Sequence, residues 1–335
     1  MKDLKLYLES LLDDEDEIAL DPTFEIKNYI NQHYYNTAGL VIKSVRKIDG
    51  MYYVDCDKVY LKGDDETLTN GLFKFGKVEY FGCHSKKLTS LEGAPQECEK
   101  FDCSFCKSLK SLEGAPQECD TFDCDGCESL KSLEGAPKKC ERFSCRQCYS
   151  LTSIEGSPQE CDTFDCINCT SLKTLKGAPQ KCDNIFCCSC DSLTSLEGIP
   201  RNCEVILCDG CKNLTSLEGV PRECEKIVCH DCESLKNLAG APQKCEEFDC
   251  HGCKNLTTLK GGPQKCKRFV CDSCYKLKNL LGAPQECNIF YCRHCKNLKK
   301  LTGAPQKCEE FNCLDCRKLE SLEGAPQNCK VIADL

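Results

Sequence analysis

The sequence predicts a β-solenoid in which parallel strands stack coil upon coil in 21-residue steps, preceded by a small α/β cap at the N-terminus. Three observations carry this reading. The chain of 335 residues repeats itself every 21 residues from Cys98 to the C-terminus, almost without insertions. Inside a repeat, apolar and polar residues alternate over a short stretch, as Phe101 and Cys103 do around Asp102, which is the period of a half-buried strand. A glycine and a proline, Gly114 and Pro116 in the first full repeat, then turn the chain back. With strands about 4.8 Å apart, twelve or thirteen coils build a rod about 60 Å long.

Residues 1–75 show no repeat and are expected to form the cap. Leu4, Tyr7, Leu8, Leu11 and Leu12 recur at helical spacing, and Asp21-Pro22 reads as an N-cap with proline at the first helical position, opening a second helix towards Tyr35. Strands are expected from Leu40 to Val45, Met51 to Val54 and Val59 to Lys62, with Asp49-Gly50 as a hairpin turn. Such a unit shields the open edge of the first coil. Residues 76–335 form the solenoid. Its leading coil, marked by Val78, Phe81, Cys83 and Leu88, is one residue short and keeps one of three cysteines; eleven full repeats follow from Cys98, and a twelfth begins at Cys329.

The fixed positions read C-x2-[FI]-x-C-x2-C-x2-L-x2-[LI]-x-G-x-P, as from Cys98 to Pro116. This resembles the leucine-rich repeat, L-x2-L-x-L-x2-[NC]-x(1 or 2)-L. Cys98, Phe101 and Cys103 stand at its three strand positions, Cys106 at the Asn/Cys turn position, and Leu109 closes the segment. The return arm from Leu112 to Pro116 is similar to the short arms of bacterial leucine-rich repeats, and the opening LKLYLESLLDDEDE resembles the start of some gut-phage repeat proteins. The resemblance spans residues 78 to 335 and implies a leucine-rich-repeat-like solenoid. Cysteine at two of the core leucine positions is a departure from the family pattern.

Cysteine dominates the composition: 37 of 335 residues, about 11%, exceed the 8–10% that already marks a specialised scaffold. Thirty-four fall in three columns. The first holds Cys98, Cys119, Cys140, Cys161, Cys182, Cys203, Cys224, Cys245, Cys266, Cys287, Cys308 and Cys329. The second holds Cys103, Cys124, Cys145, Cys166, Cys187, Cys208, Cys229, Cys250, Cys271, Cys292 and Cys313. The third holds Cys106, Cys127, Cys148, Cys169, Cys190, Cys211, Cys232, Cys253, Cys274, Cys295 and Cys316. Cys56, Cys83 and Cys188 lie outside this scheme.

Three readings of these columns compete. The thiols can be small apolar fillers of a core. They can ligate metal, and here all 34 are candidate ligands. Each repeat carries C-x4-C-x2-C with a further cysteine thirteen residues on, as in Cys98, Cys103, Cys106 and Cys119, which resembles the spacing of plant-type ferredoxins. Adjacent repeats also give Cys103-x2-Cys106-x17-Cys124-x2-Cys127, inside the window for a four-cysteine site. Soft thiolates favour zinc, copper(I) or iron–sulfur clusters. The third reading, disulfides, needs an export route. The N-terminus lacks the apolar centre of a signal peptide, being broken by Lys5, Glu9 and the acidic run from Asp13 to Glu17, so a reducing cytoplasm is expected, with a phage-encoded origin in a bacterial host compatible with it.

Comparison among repeats favours ligation. The Phe101 position accepts Ile185, Ile206 and Ile227, and the Ala115 position accepts Ser157, Ile199, Val220 and Gly262, whereas the cysteines never change. The Phe and Leu ladders already supply a core, which makes many structural zinc ions redundant. The expectation is therefore a linear array of five to nine iron–sulfur clusters, in the form [4Fe–4S], serving electron transfer or storage as in a polyferredoxin, with zinc as the lesser option. The alternative is a protein-interaction scaffold whose inward cysteines remain thiols.

A net charge of −9 argues against nucleic acid, whose phosphates need clustered Lys and Arg, and no window of eighteen apolar residues offers a membrane span. On the outer strand face, Glu99, Asp120, Glu141, Asp162, Asp183, Glu204, Glu225, Glu246 and Glu309 form an acidic column suited to a basic protein or a redox partner. Phe186, Val205, Leu207, Val228, Val270, Ile289 and Tyr291 make an apolar patch, readable as a contact surface or as cross-strand packing. His230, His251 and His294 fall at variable outward positions and are expected in solvent, and Cys188 is expected as an exposed free thiol. No phosphate-cradling loop, nucleophile elbow or paired carboxylates point to an enzyme.

Overall fold

A computed structural model describes residues 26, 29, 30, 32–35, 42–61, 63–68 and 73–334. The expected helix from Leu4 to Leu12 and the Asp21-Pro22 cap lie outside the described residues. Ile26, Tyr29, Ile30, Gln32 and His33 are helical, and the chain then enters the short strand β1 (Tyr34–Tyr35). A hairpin follows, β2 (Ile42–Ile48) and β3 (Met51–Leu61), turning through Asp49 at φ 50° and Gly50 at φ 83°. Two successive left-handed residues are what a two-residue turn between right-twisted strands requires.

The two strands expected from Met51 and from Val59 are one. The inward residues Val54 and Cys56 are followed by Val59 and Leu61, so the alternation slips once. That slip, with its two aspartates, mimics a loop in the sequence. In the fold Asp55 is tied down: Ser44 and Arg46 donate to it from β2, and the Lys77 N–H donates from the far side.

Strand β3 pairs in parallel with β4 (Phe73–Gly82), and β4 with β5 (Glu97–Asp102). From there each coil adds one parallel strand: β6 (Thr121–Asp123), β7 (Arg142–Ser144), β8 (Thr163–Asp165), β9 (Asn184–Phe186), β10 (Val205–Leu207) and β11 (Lys226–Val228). The series ends with β12 (Lys244–Asp249), β13 (Lys265–Val270), β14 (Glu286–Tyr291), β15 (Glu310–Asn312) and β16 (Lys330–Ile332). The described residues thus form one sixteen-stranded sheet, a parallel β-solenoid whose sheet runs unbroken from the N-terminal hairpin into the repeats.

Register follows the sequence period. Phe101 lies opposite Phe122 and Phe248 opposite Phe269, 21 residues on, whereas the shorter leading coil sets Val78 against Cys98. The last coil departs from expectation: Phe311 pairs with Val331, only 20 residues on, so Cys329 is out of step with the first column and half-buried. Its sulfur nonetheless stays beside Cys308.

The core is a set of ladders along the axis. Phe81, Phe101, Phe122, Phe143 and Phe164 stack with ring centroids 5.2–5.5 Å apart, and Phe248, Phe269, Phe290 and Phe311 repeat the arrangement. Ile185, Ile206 and Ile227 bridge the two stacks, equally buried. Two leucines per coil, such as Leu109 and Leu112, close the opposite wall. The glycine of the return arm is held by sterics: at Gly219, φ is 106° and a Cβ would sit 2.1 Å from the Leu196 carbonyl oxygen of the coil before.

Candidate functional site

Each strand ends at a second-column cysteine, and the chain turns through C-x2-C to reach the leucine wall. The residue before every third-column cysteine is left-handed. Phe105, Gln147, Asn168, Ser189, Asp231, Ser273, His294 and Asp315 have φ between 51° and 62°, and glycine fills the same place at Gly126, Gly210 and Gly252. This turn fixes where the third sulfur goes. In all eleven repeats the third-column thiol donates to the main-chain carbonyl of the second-column cysteine one coil back, from Cys106 to Cys83 through Cys316 to Cys292, at S···O distances of 2.5–3.4 Å. Ser85, in the leading coil, occupies the equivalent place before Leu88 and donates to the Asp65 carbonyl at 2.6 Å.

The same third-column sulfur also faces the second-column sulfur one coil back. Cys83 meets Cys106, Cys103 meets Cys127, Cys208 meets Cys232, and so on to Cys292 and Cys316. The result is a continuous thiol zipper sealed from solvent. Burial, foremost at Cys103, Cys124, Cys271 and Cys292, pushes these thiols well above their ordinary range. At Cys145, Cys166, Cys187, Cys208, Cys229 and Cys250 the facing sulfur is the larger cause, with burial acting in the same direction. At Cys316 the direction reverses: the Cys292 thiol beside it lowers that residue's pKa.

The fit to a metal can be read from this geometry. The spacing argument brings the two sulfurs of one C-x2-C to a common centre, but they contact different coils, Cys106 the one before and Cys103 the one after. Among the described residues no three Cys, His, Asp or Glu side chains converge so that they could hold a metal ion. The 34 expected ligands are therefore brought into columns, not into four-sulfur centres.

First-column thiols differ. They line the strand's entry, close to the outer surface, and most donate along their own strand, as Cys98 does to the Lys100 carbonyl at 2.9 Å and Cys287 to Ile289 at 2.9 Å. Burial pushes Cys98 and Cys119 up to about 12. Neighbouring sulfurs also meet: Cys161 and Cys182 at 3.7 Å, Cys245 and Cys266 at 3.6 Å, with Cys140 beside Cys161 and Cys329 beside Cys308.

On the strand face, Glu99, Asp120, Glu141, Asp162, Asp183, Glu204 and Glu225 form no ion pair among the described residues, and Glu246 is neutralised by Lys267. Of the apolar patch, Val228 and Val270 are buried, whereas Phe186, Val205, Leu207, Ile289 and Tyr291 stay partly exposed; Leu207 lies directly opposite Val228.

The far edge holds ion pairs that the sequence did not single out. Arg146 clasps the fully buried Asp165, with its Nε 2.7 Å away, and Arg293 grips Asp272 through Nε and Nη2 at 2.8 and 2.6 Å. His84 lies 3.1 Å from Asp102, which also accepts from the Tyr80 hydroxyl at 3.0 Å. His230 is not simply solvated: it is half-buried, with Nε2 3.0 Å from Asp249. His294 contacts Asp315 at 2.8 Å. Cys188 is a free cysteine, half-buried rather than fully exposed; it contacts Asp209 at 3.6 Å, and burial pushes its thiol up to about 12. The readable signal was an Asp at a strand end facing a cation about one coil away.

Among the described residues no helix is long and apolar enough to cross a membrane. No family model and no curated protein matches the chain. Among solved structures, the chain is similar to a leucine-rich repeat protein from Bacteroides ovatus, at 13% identity and a TM-score of 0.32, over 90% of this chain and 100% of that one.

Proposed function

We propose that the chain is a rigid interaction scaffold whose cysteines are neutral core thiols and whose acidic strand face docks a basic protein. The observation that supports this reading is the run of eleven S–H···O=C bonds, which gives the third column a structural task that a thiolate could not perform. With the cysteines employed in holding coils together, the outer face is what varies and what a partner can meet. Seven carboxylates without ion pairs, repeating at strand spacing, repel one another and are relieved by cationic side chains.

The iron–sulfur array is the second reading, favoured by the eleven sulfur–sulfur contacts of the zipper together with the C-x4-C-x2-C spacing. Protein purified without oxygen decides between them. The scaffold reading expects a colourless protein, free of stoichiometric iron, sulfide or zinc, that keeps its fold in chelator. Brown protein with stoichiometric iron and sulfide overturns it in favour of clusters. Docking is tested with a labelled poly-lysine peptide: Asp162→Lys with Asp183→Lys should weaken binding at least about tenfold, and moderate salt should do the same. An unchanged affinity removes the acidic face from the proposal.

A further inference from the structure

One first-column pair stands apart from the zipper. Cys245 and Cys266 are direct partners in the parallel register of β12 and β13, with sulfurs 3.6 Å apart. They lie on the floor of an open groove of about 730 Å³, beside the half-buried Cys224. Among the described residues the Cys245 thiol meets the Cys266 sulfur and no carbonyl acceptor. The groove carries five glutamates and three lysines, a balance of −2. Each lysine is matched, Lys244 to Glu223, Lys265 to Glu286 and Lys267 to Glu246, which leaves Glu204 and Glu225 to set the field over the sulfurs.

We infer that Cys245 and Cys266 form a two-sulfur site for a soft monovalent d10 cation of the copper(I) or silver(I) class. Donor number selects this class. Zinc in a structural site takes four ligands and an iron–sulfur cluster four cysteines, whereas here no third donor converges among the described residues. A linear S–metal–S unit with bonds of about 2.3 Å sets its sulfurs about 4.6 Å apart, close to the strand spacing of about 4.8 Å. Stacked cysteines in register therefore present their sulfurs along the axis such a cation requires, after a small outward rotation. Binding replaces two S–H bonds by two S–metal bonds and releases two protons to solvent; no electron is transferred. Cys161 and Cys182, at 3.7 Å, repeat the motif four coils earlier.

The test supplies copper(I) as its acetonitrile complex, without oxygen, to the folded full chain in competition with a copper(I) chelator. The expected result is that bound copper shields Cys245 and Cys266 from slow iodoacetamide labelling, that Cys245→Ser with Cys266→Ser loses one equivalent of copper, and that Cys224→Ser loses none. Shielding confined to other cysteines, or an unchanged copper content in the double variant, overturns the site. Loss of copper in Cys224→Ser overturns its two-sulfur form. The shielding measurement needs no variant and so stands even if the double substitution disturbs folding. Clusters in the zipper would sink the scaffold reading without touching this result, because the groove thiols belong to a different column.

Discussion

Individual side chains in this protein are judged by which neighbour they reach, and the third-column cysteine is the clearest case. Because Ser85 already performs its task, Cys211→Ser should keep the bond to the Cys187 carbonyl and change stability by less than about 1 kcal/mol. Cys187→Ser is different: its thiol faces the Cys211 sulfur, a poor acceptor, so a buried hydroxyl there should cost about 1–3 kcal/mol. Urea midpoints of the two variants check the contrast. The same scale holds a pH effect. Its Asp102 neighbour raises the pKa of His84, so its contribution is complete below the unfolded histidine value and fades as pH climbs through the raised one. Asp102 is shifted the opposite way, its bonds from His84 and Ser104 outweighing burial, and its contribution fades as pH falls through the lowered value. The pair therefore stabilises best between the two, and Asp102→Asn should return the His84 titration, followed by NMR, towards about 6.5.

At the level of strands and turns, backbone geometry separates positions that look alike in sequence. The residue before each third-column cysteine diverges freely in type, yet every copy is left-handed. Replacing Gln147 by glycine should stabilise its coil by up to about 1 kcal/mol, since a side chain in that conformation costs about 1–2 kcal/mol and the flexible glycine returns only part of it. Gly219→Ala should destabilise by more than about 2 kcal/mol, because the new Cβ meets the Leu196 carbonyl. Thermal unfolding of both variants reads the signs. These elements also show what was legible. Strand, turn and coil length followed from Phe101, Cys103, Gly114 and Pro116, because a stacked coil can change only by whole steps. The left-handed turn was hidden, since Phe105 and His294 do not advertise it. Without it the C-x2-C pair reads as a chelate, and the two sulfurs part for exactly the reason that spacing cannot reveal: the turn between them sends one backward along the axis. Unbroken β3 was missed because its slip between Cys56 and Val59 imitates a loop.

Over the whole molecule, each coil touches only the coils before and after it, so stability is a sum of neighbour terms and the two ends are weakest. The N-terminal end is continued by a hairpin, whereas the last coil carries a register slip at Val331. Limited alkylation of the native protein should mark the half-buried Cys188, Cys224 and Cys329 first and the sealed zipper from Cys124 to Cys271 last, read by mass spectrometry. Equal labelling along the chain would refute the closed zipper.

The stacking of phenyl rings, sulfurs and leucines in files parallel to the long axis gives the molecule a mechanical character. Pulled from its two ends, such a column peels one turn at a time, and every turn set free pays out 21 residues, about 70 Å of slack at full extension. A tether of this kind yields in small, repeated increments and shortens again by the same path when the load is taken away.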